Sequence, residues 1–435
     1  LGAMPDAVAA VMRLGLEPSQ VAILNDPYTG GTHLPDVTLV SRTALGLAVS
    51  RAHHADVGGI EPASLPAFSR TLQEEGVILP PQLLTDEVLG RFVEATRQPE
   101  ERRGDLRAQL AAHRLAERRL EELCARRGRE RVAAAMDELY AYSERMVRVA
   151  LAALPDGRGE AEDVVEAVDD DLPIRCTVEI AGDSIGIDFT GTAPQYDGNL
   201  NCPLAVTKSA CYFVVRCLTE PDLPASGGAF APVTVTAPGG CLVNARSPAA
   251  VVAGNTETSS RIVDLVFAAL GELMPVPAAG QGTMNNVALG NDAFTYYETI
   301  GGGQGACPTA DAPSGVHVAM SNTLATPTEA IELEYPLRIE RWELRRGSGG
   351  AGLHRGGDGV VRELRVLEDC RLSVLAERRR HAPPGRTAGE DGVRGRTLVN
   401  GEEQPPKLTR QLHAGDVVRV ETPGGGGFGE NRRTP

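Results

Sequence analysis

Two polar clusters bracket a pair of short apolar runs near the start of this chain, and this arrangement constrains the local fold more than any other feature. Asn25–Asp36 reads NDPYTGGTHLPD, Arg51–Gly59 reads RAHHADVGG, and VTLVSRTALGLAVS lies between them. The interval divides into two apolar runs with a turn near Gly46, the pattern of a hairpin. Two strands joined by a turn return their far ends to one place, so the clusters are expected to face one another across a pocket. Asp26, His33, Asp36, His53, His54 and Asp56 would then converge. Imidazole and carboxylate are ligands of divalent ions such as Zn²⁺, Mn²⁺ or Fe²⁺. An ion with an open position activates water or polarises a carbonyl. The plainer alternative is that Asp26 and Asp36 are turn residues and the histidines are satisfied polar groups, since Asn-Asp-Pro and Thr-Gly-Gly are common loop chemistry. Against it, three of the chain's eight histidines fall in this window.

The 435 residues predict two or three lobes. Hydrophobic residues make up 42% of the chain but aromatics only 4%, so the core must rest on Ala, Val and Leu. A net charge of −15 argues against nucleic acid as the main partner. The eight cysteines form no CxxC pair, which points to reduced thiols in a cytoplasmic protein rather than to a zinc finger or a disulfide scaffold. There is no run of eighteen apolar residues, so no membrane span is expected.

The chain reads as α+β: mixed sheets with an inserted helical segment and a β-rich C-terminal lobe. Residues 1–84 carry the two clusters, opened by a short helix over 5–17 and closed by a surface connection at Leu65–Gly76. Residues 85–153 repeat Leu and Ala at three-to-four spacing between Arg and Glu, as in LRAQLAAHRLAERRLEEL, and predict a helical hairpin with a solvated outer face and a structural His113. Region 154–330 is expected to mix strands with helices near 205–218 and 259–274. It begins with Gly- and Asp-rich turns over 154–173 and places Asp169–Asp171 at a hairpin tip. Residues 331–435 alternate with period two.

Several glycine runs invite a nucleotide-binding reading. IGGGQGA at 300–306 lacks GxGxxG between a strand and a helix, no GxxxxGK[ST] occurs, and TPGGGGFG at 422–429 has no helix after it. Close backbone approach and tight turns are the expected uses of these glycines. GNTETSS at 254–260 and GTMNN at 282–286 are rich in amides and hydroxyls. Asn255, Glu257, Asn285 and Asn286 are candidates to bind a polar substrate or orient ligands, with loop and cap bonding as the alternative. Glu298 is a candidate base.

These stretches occur together with LGAMPDAV, GDLRAQLAA, DFTGTAPQYDGNLN, YYETIGGGQGA, SNTLATPTEAIELEYP and HRGGDG. In that order they resemble the hydantoinase B/oxoprolinase family, which includes subunits of ATP-dependent hydantoinases and 5-oxoprolinases and related acetone and acetophenone carboxylase subunits. The resemblance implies a cyclic-amide hydrolase acting on 5-oxoproline or a hydantoin. It implies a hetero-oligomer with a hydantoinase A-like companion whose actin-like fold binds ATP and phosphorylates the substrate. This chain would hold the divalent metal that activates water. Asp36, His54, Asp56 and His33 are the expected ligands, with His53, Asp26 and Glu298 for acid–base work, and His54→Ala is expected to lower bound metal. A ketone carboxylase subunit is one alternative, and a non-enzymatic scaffold that only stabilises the ATP-binding partner, with no metal on the His/Asp cluster, is another. Family members carry a further stretch before the position of Leu1, commonly with a histidine next to it, so a site contact is expected from outside this sequence.

Overall fold

The structure, a computed structural model, describes residues 2–431. The expected hairpin forms. Strands β1 (Val21–Leu24), β2 (Asp36–Thr43), β3 (Gly46–His53) and β4 (Gln82–Leu83) make a sheet in the order β3-β2-β1-β4. β2 and β3 pair antiparallel from Thr43 opposite Gly46 to Asp36 opposite His53. Helix α1 (Met4–Met12) packs Ala7 and Val11 against Ala22, Leu24 and Val40 of this sheet.

The segment at 65–76 departs from expectation. It contains helix α2 (Leu72–Glu75) and is largely buried, with Leu65, Ala67, Ser69, Leu72 and Glu75 all shielded from solvent. The reason is Glu75. Its carboxylate accepts the backbone N–H groups of Val251 and Val252 at 2.9 Å and the Ser69 hydroxyl at 3.0 Å. Within the charged-looking QEEG, Glu75 is thereby drawn inside to satisfy donors on a distant stretch of chain, while Gln73 stays exposed.

The helical segment comprises α3 (Asp86–Glu94), α4 (Pro99–Arg127) and α5 (Arg129–Ala152). α4 buries Arg102, Leu106, Gln109 and His113, residues at three-to-four spacing on one face. That face lies on β2 and β3: His113 bonds the hydroxyls of Ser41 and Ser50 at 2.7 and 2.8 Å, and Gln109 donates to the Val37 carbonyl at 3.1 Å. The remainder of α4 is solvated, as its charge pattern requires.

A second sheet, β5-β6-β7-β8, is made of β5 (Gly157–Glu166), β6 (Asp171–Ala181), β7 (Ser184–Asp188) and β8 (Val233–Thr236). Part of the stretch read as turns is strand β5. Its Glu160 and Glu162 are exposed and alternate with inward positions, and Glu166 opposite Asp171 puts the acidic run at the hairpin tip, as expected. Helices α6 (Leu204–Cys217) and α7 (Ser259–Leu270) form a core with this sheet that includes Val178, Ile187, Val214, Ile262 and Val266. One π-helical turn, Gly254–Thr258, precedes α7.

The rest of the chain is mostly β. β9 (Asn286–Gly290) and β10 (Thr295–Glu298) are followed by α8 (Thr328–Glu334), β11 (Leu337–Arg345), β12 (Gly359–Val366), β13 (Cys370–Leu375), β14 (Arg396–Val399), β15 (Glu402–Gln404), β16 (Lys407–Leu412) and β17 (Val417–Glu421). They form sheets β10-β9-β13-β16 and β11-β12-β17-β14-β15. Strands from either side of residue 330 thus share a sheet. Val287, Leu289, Leu364, Leu372 and Val418 belong to the core that these two sheets share.

The glycine runs pack on one another. Gly424–Gly427 is bonded on several sides: Gly350 donates to Gly425 at 2.8 Å, Gly425 to Gly357 at 2.9 Å, Gly426 to Ala279 at 2.8 Å and Gly427 to Glu390 at 2.8 Å. A β-carbon on Gly425 would strike the Gln304 carbonyl, and one on Gly303 the Gly357 carbonyl. Close backbone approach is what these glycines supply. All eight cysteines are free, and among the described residues no helix is long and apolar enough to cross a membrane.

Candidate metal centre and cleft

The register of β2 and β3 builds the site. Asp36 opens β2 and lies opposite His53, which ends β3. His33 sits one turn earlier, with its carbonyl accepting the Asp36 N–H at 3.0 Å. His33 Nδ1 lies 3.0 Å from Asp36 Oδ2, and His53 Nδ1 lies 3.5 Å from Asp36 Oδ1. One ligand atom from each of the three residues falls within 4.8 Å of the others. The two imidazoles stack at 5.2 Å, and the Thr32 hydroxyl donates to Asp36 Oδ2 at 2.5 Å. Burial raises the Asp36 carboxyl, but the two imidazoles outweigh it and hold the group well below the ordinary carboxylate range.

This set fits a divalent ion. His33 Nδ1 is buried and close to a carboxylate oxygen, yet makes no hydrogen bond. Two imidazoles and one carboxylate are the donors that Zn²⁺, Mn²⁺ and Fe²⁺ accept.

His54 and Asp56, the other expected ligands, stand apart from this group. His54 follows His53 at the end of a strand, where successive side chains point to opposite faces. Its Nε2 meets Gln109 Oε1 at 3.1 Å, its ring meets the edge of Phe92, and burial lowers its pKa. Asp56 is buried and engaged by Arg97 Nη1 at 2.7 Å and by the Gly58 N–H at 3.0 Å. Asp26, a candidate base, accepts the Tyr28 N–H at 2.9 Å in a local turn.

The three clustered residues line a cleft of about 470 Å³. Asn255 and Thr256 of the π turn, Tyr297, Glu298 and Thr299, and the loop from Met320 to Thr326 complete its walls. The Tyr297 ring stacks on His53 at 5.5 Å, and its hydroxyl donates to Asn286 Oδ1 at 2.8 Å. Asn286 Nδ2 donates to Glu257 Oε1 at 2.7 Å, and Glu257 also accepts the Met284 N–H at 3.1 Å and the Thr283 hydroxyl. Glu257 and Asn286 therefore stand behind Tyr297 rather than in the cleft. Asn285 is likewise internal, donating to Gln281 and accepting from Arg379 at 2.9 Å each. Asn255 reaches the cleft. Glu298 does too, with its carboxylate held by Arg362 Nε at 3.2 Å. Burial raises the Glu298 pKa against the pull of Arg362.

Sequence reasoning passes over Tyr297 as a site residue, along with Thr32, Thr256 and the 320–326 loop. The one sequence signal for that loop is the SNTLATP stretch, whose residue types by themselves suggest no role.

The fold and site define a class: an α+β chain with a two-histidine, one-carboxylate group at the edge of a cleft. Residues 1–431 match the family described as Hydantoinase B/oxoprolinase, and the chain belongs to that family. It is 36% identical over 475 residues to 5-oxoprolinase 1 of Arabidopsis thaliana, an alignment taking in 99% of this chain and 37% of the plant protein. It is 40% identical over 431 residues to uncharacterized protein MJ0963 of Methanocaldococcus jannaschii, covering 95% of this chain and 76% of that protein. The chain thus spans little more than a third of the plant 5-oxoprolinase. Among solved structures, the ATP-dependent caprolactamase from Pseudomonas jessenii superposes with a TM-score of 0.91 at 26% identity, over 100% of this chain and 82% of that chain. Nucleotide-free acetone carboxylase shares the fold, with a TM-score of 0.87 at 16% identity over 98% and 68% of the two chains.

Proposed function

We propose that this chain opens the ring of a cyclic amide, 5-oxoproline or a hydantoin, after a companion ATP-binding subunit has phosphorylated the amide oxygen. The observation that carries this reading is the His33–Asp36–His53 group at the edge of a cleft of about 470 Å³ in a chain of this family. An unstrained five-membered lactam resists hydrolysis, and phosphorylation turns its oxygen into a leaving group. A divalent ion held by His33, Asp36 and His53 supplies Lewis acidity toward a carbonyl or a water. Asp36 stays ionised through the neutral range and is ready to act as a ligand. Tyr297 fixes the plane of His53, and the Glu257–Asn286 chain fixes Tyr297. Asn255 offers amide contacts to the ring, and the Glu298 carboxylate accepts a ring N–H.

The test is phosphate release from ATP by this chain co-purified with its companion. Stimulation by 5-oxoproline, with glutamate appearing in step, supports the reading. No stimulation by 5-oxoproline or by a hydantoin refutes it, and bicarbonate-dependent turnover of a ketone would instead establish carboxylation. Metal content separates the candidate ligands: Asp36→Ala is expected to lose bound metal while His54→Ala keeps it.

A further inference from the structure

We infer that Ser321 and His317 form a proton-transfer pair in the cleft wall, with Ser321 the group that meets the substrate. This rests on the reading that the cyclic amide occupies the cleft. Ser321 is buried and lines the cleft with His33, Asp36 and His53. Its hydroxyl is in hydrogen-bond contact with His317 Nδ1. Other serines near the cleft bond back to their own helix: Ser259 donates to the Asn255 carbonyl at 2.5 Å and Ser260 to the Thr256 carbonyl at 3.1 Å. Ser321 turns to an imidazole instead.

The backbone holds this pair firmly. Val316, next to His317, exchanges two hydrogen bonds of 2.9 Å with Gly302 of the glycine layer. The Ser321 N–H closes a turn onto the Val318 carbonyl at 3.1 Å. Ala319 in that turn has φ of +55°, a left-handed conformation that a non-glycine residue keeps only where its surroundings impose it. Burial lowers the His317 pKa, so its imidazole is neutral near pH 7. With the proton on Nε2, Nδ1 accepts the Ser321 O–H. A hydroxyl backed by an imidazole is the arrangement that moves protons to and from a reacting centre.

Phosphorylation of the amide oxygen, with the amide N–H proton released to solvent, gives a ring carbon bearing C=N and C–O–phosphate bonds. Water oxygen bonds to that carbon, the C=N π pair moves to nitrogen, and the water proton passes through Ser321 and His317 to the nitrogen. The new C–OH group then gives up its proton by the same route. The C–N bond breaks with its electron pair on nitrogen, leaving a free amino group and an acyl phosphate, which a second water hydrolyses. Without protonation of the nitrogen the C–O bond to phosphate breaks instead. The cyclic amide then returns and ATP is consumed without product. Ser321 is therefore the residue that couples ATP hydrolysis to ring opening.

The experiment compares phosphate released with ring opened, using the complex of this chain and its companion. In Ser321→Ala and His317→Gln the ratio of phosphate to opened product is expected to rise by about 100-fold, the lower end of what general acid–base catalysis supplies. Ser321→Thr, which keeps a hydroxyl, is expected to stay coupled. A fall of both products together at unchanged ratio would overturn the inference, because a merely structural role lowers both. A second arm needs no cyclic amide: a fluorophosphonate is expected to label Ser321 in the wild-type chain and not in His317→Gln. Labelling in a complex that opens no cyclic amide would sink the proposed function and leave the pair standing. An unlabelled Ser321 would sink the pair.

Discussion

Replacing Glu257 by Gln should change how stability depends on pH by an amount that follows from the structure. Glu257 is fully buried and accepts from Thr283, the Met284 N–H and Asn286. Burial pushes its carboxyl up from 4.5 to about 7, against the Thr283 hydrogen bond that pulls it down. The folded value lies above the unfolded one, so the native state holds the proton more tightly. The resulting stability is fully present below pH 4.5 and is lost as pH rises through about 7. At ~1.36 kcal/mol per pH unit the difference amounts to about 3 kcal/mol. Glutamine keeps one acceptor oxygen and does not titrate, but it turns an NH₂ toward a donor at a cost of roughly 1–3 kcal/mol that does not vary with pH. The variant is therefore expected to be the less stable protein at pH 4.5 and to gain about 3 kcal/mol relative to wild type by pH 8. Urea unfolding followed by circular dichroism across this range measures the difference. Glu75 and Asp264, whose carboxyls burial also pushes up to about 7, titrate alike in both proteins and cancel. Parallel curves for the two proteins would refute the reasoning.

Three further outcomes follow from named contacts. Arg97→Ala leaves the buried Asp56 carboxylate without its cation and should cost ~3–5 kcal/mol in urea unfolding. Gly303→Ala drives a β-carbon into the Gly357 carbonyl and the Gly425 nitrogen and should abolish soluble expression, whereas Gly347→Ala, with no heavy atom near the added carbon but φ of +81°, should remain soluble. Tyr297→Phe keeps the ring on His53 and loses only the bond to Asn286, so bound metal should be retained. Tyr297→Ala removes the stack and should weaken metal binding by roughly 10–100-fold, read by titration of the metal-free chain.

Much of the local structure was written in the sequence. Alternation on either side of Gly46 specified the β2–β3 hairpin, and three-to-four spacing specified the face that α4 lays on it. Strand β5 is hidden in the sequence because its Gly and Asp content resembles turn chemistry, and the burial of 65–76 because charge ordinarily signals solvent exposure. Glu75 inverts that sign: backbone donors 176 and 177 residues away draw its carboxyl inside against the cost of burial.

The site divides along the same line. The sequence by itself determined that imidazoles and carboxylates would gather at the ends of one hairpin, because strand pairing is local and a tight turn fixes its register. Only the tertiary structure decided which of them come together. His53 and His54 are adjacent and chemically identical, and the pleat sends one toward Asp36 and the other toward Gln109. Asp36 and Asp56 are both aspartates close to histidines, and Arg97 claims one of them. Glu257 and Asn286 lie in polar motifs like that of Asn255, but β9 carries Asn286 behind Tyr297 while the π turn leaves Asn255 facing the cleft. Gln109 and Arg97 come from other segments of the chain, and packing rather than composition selects them.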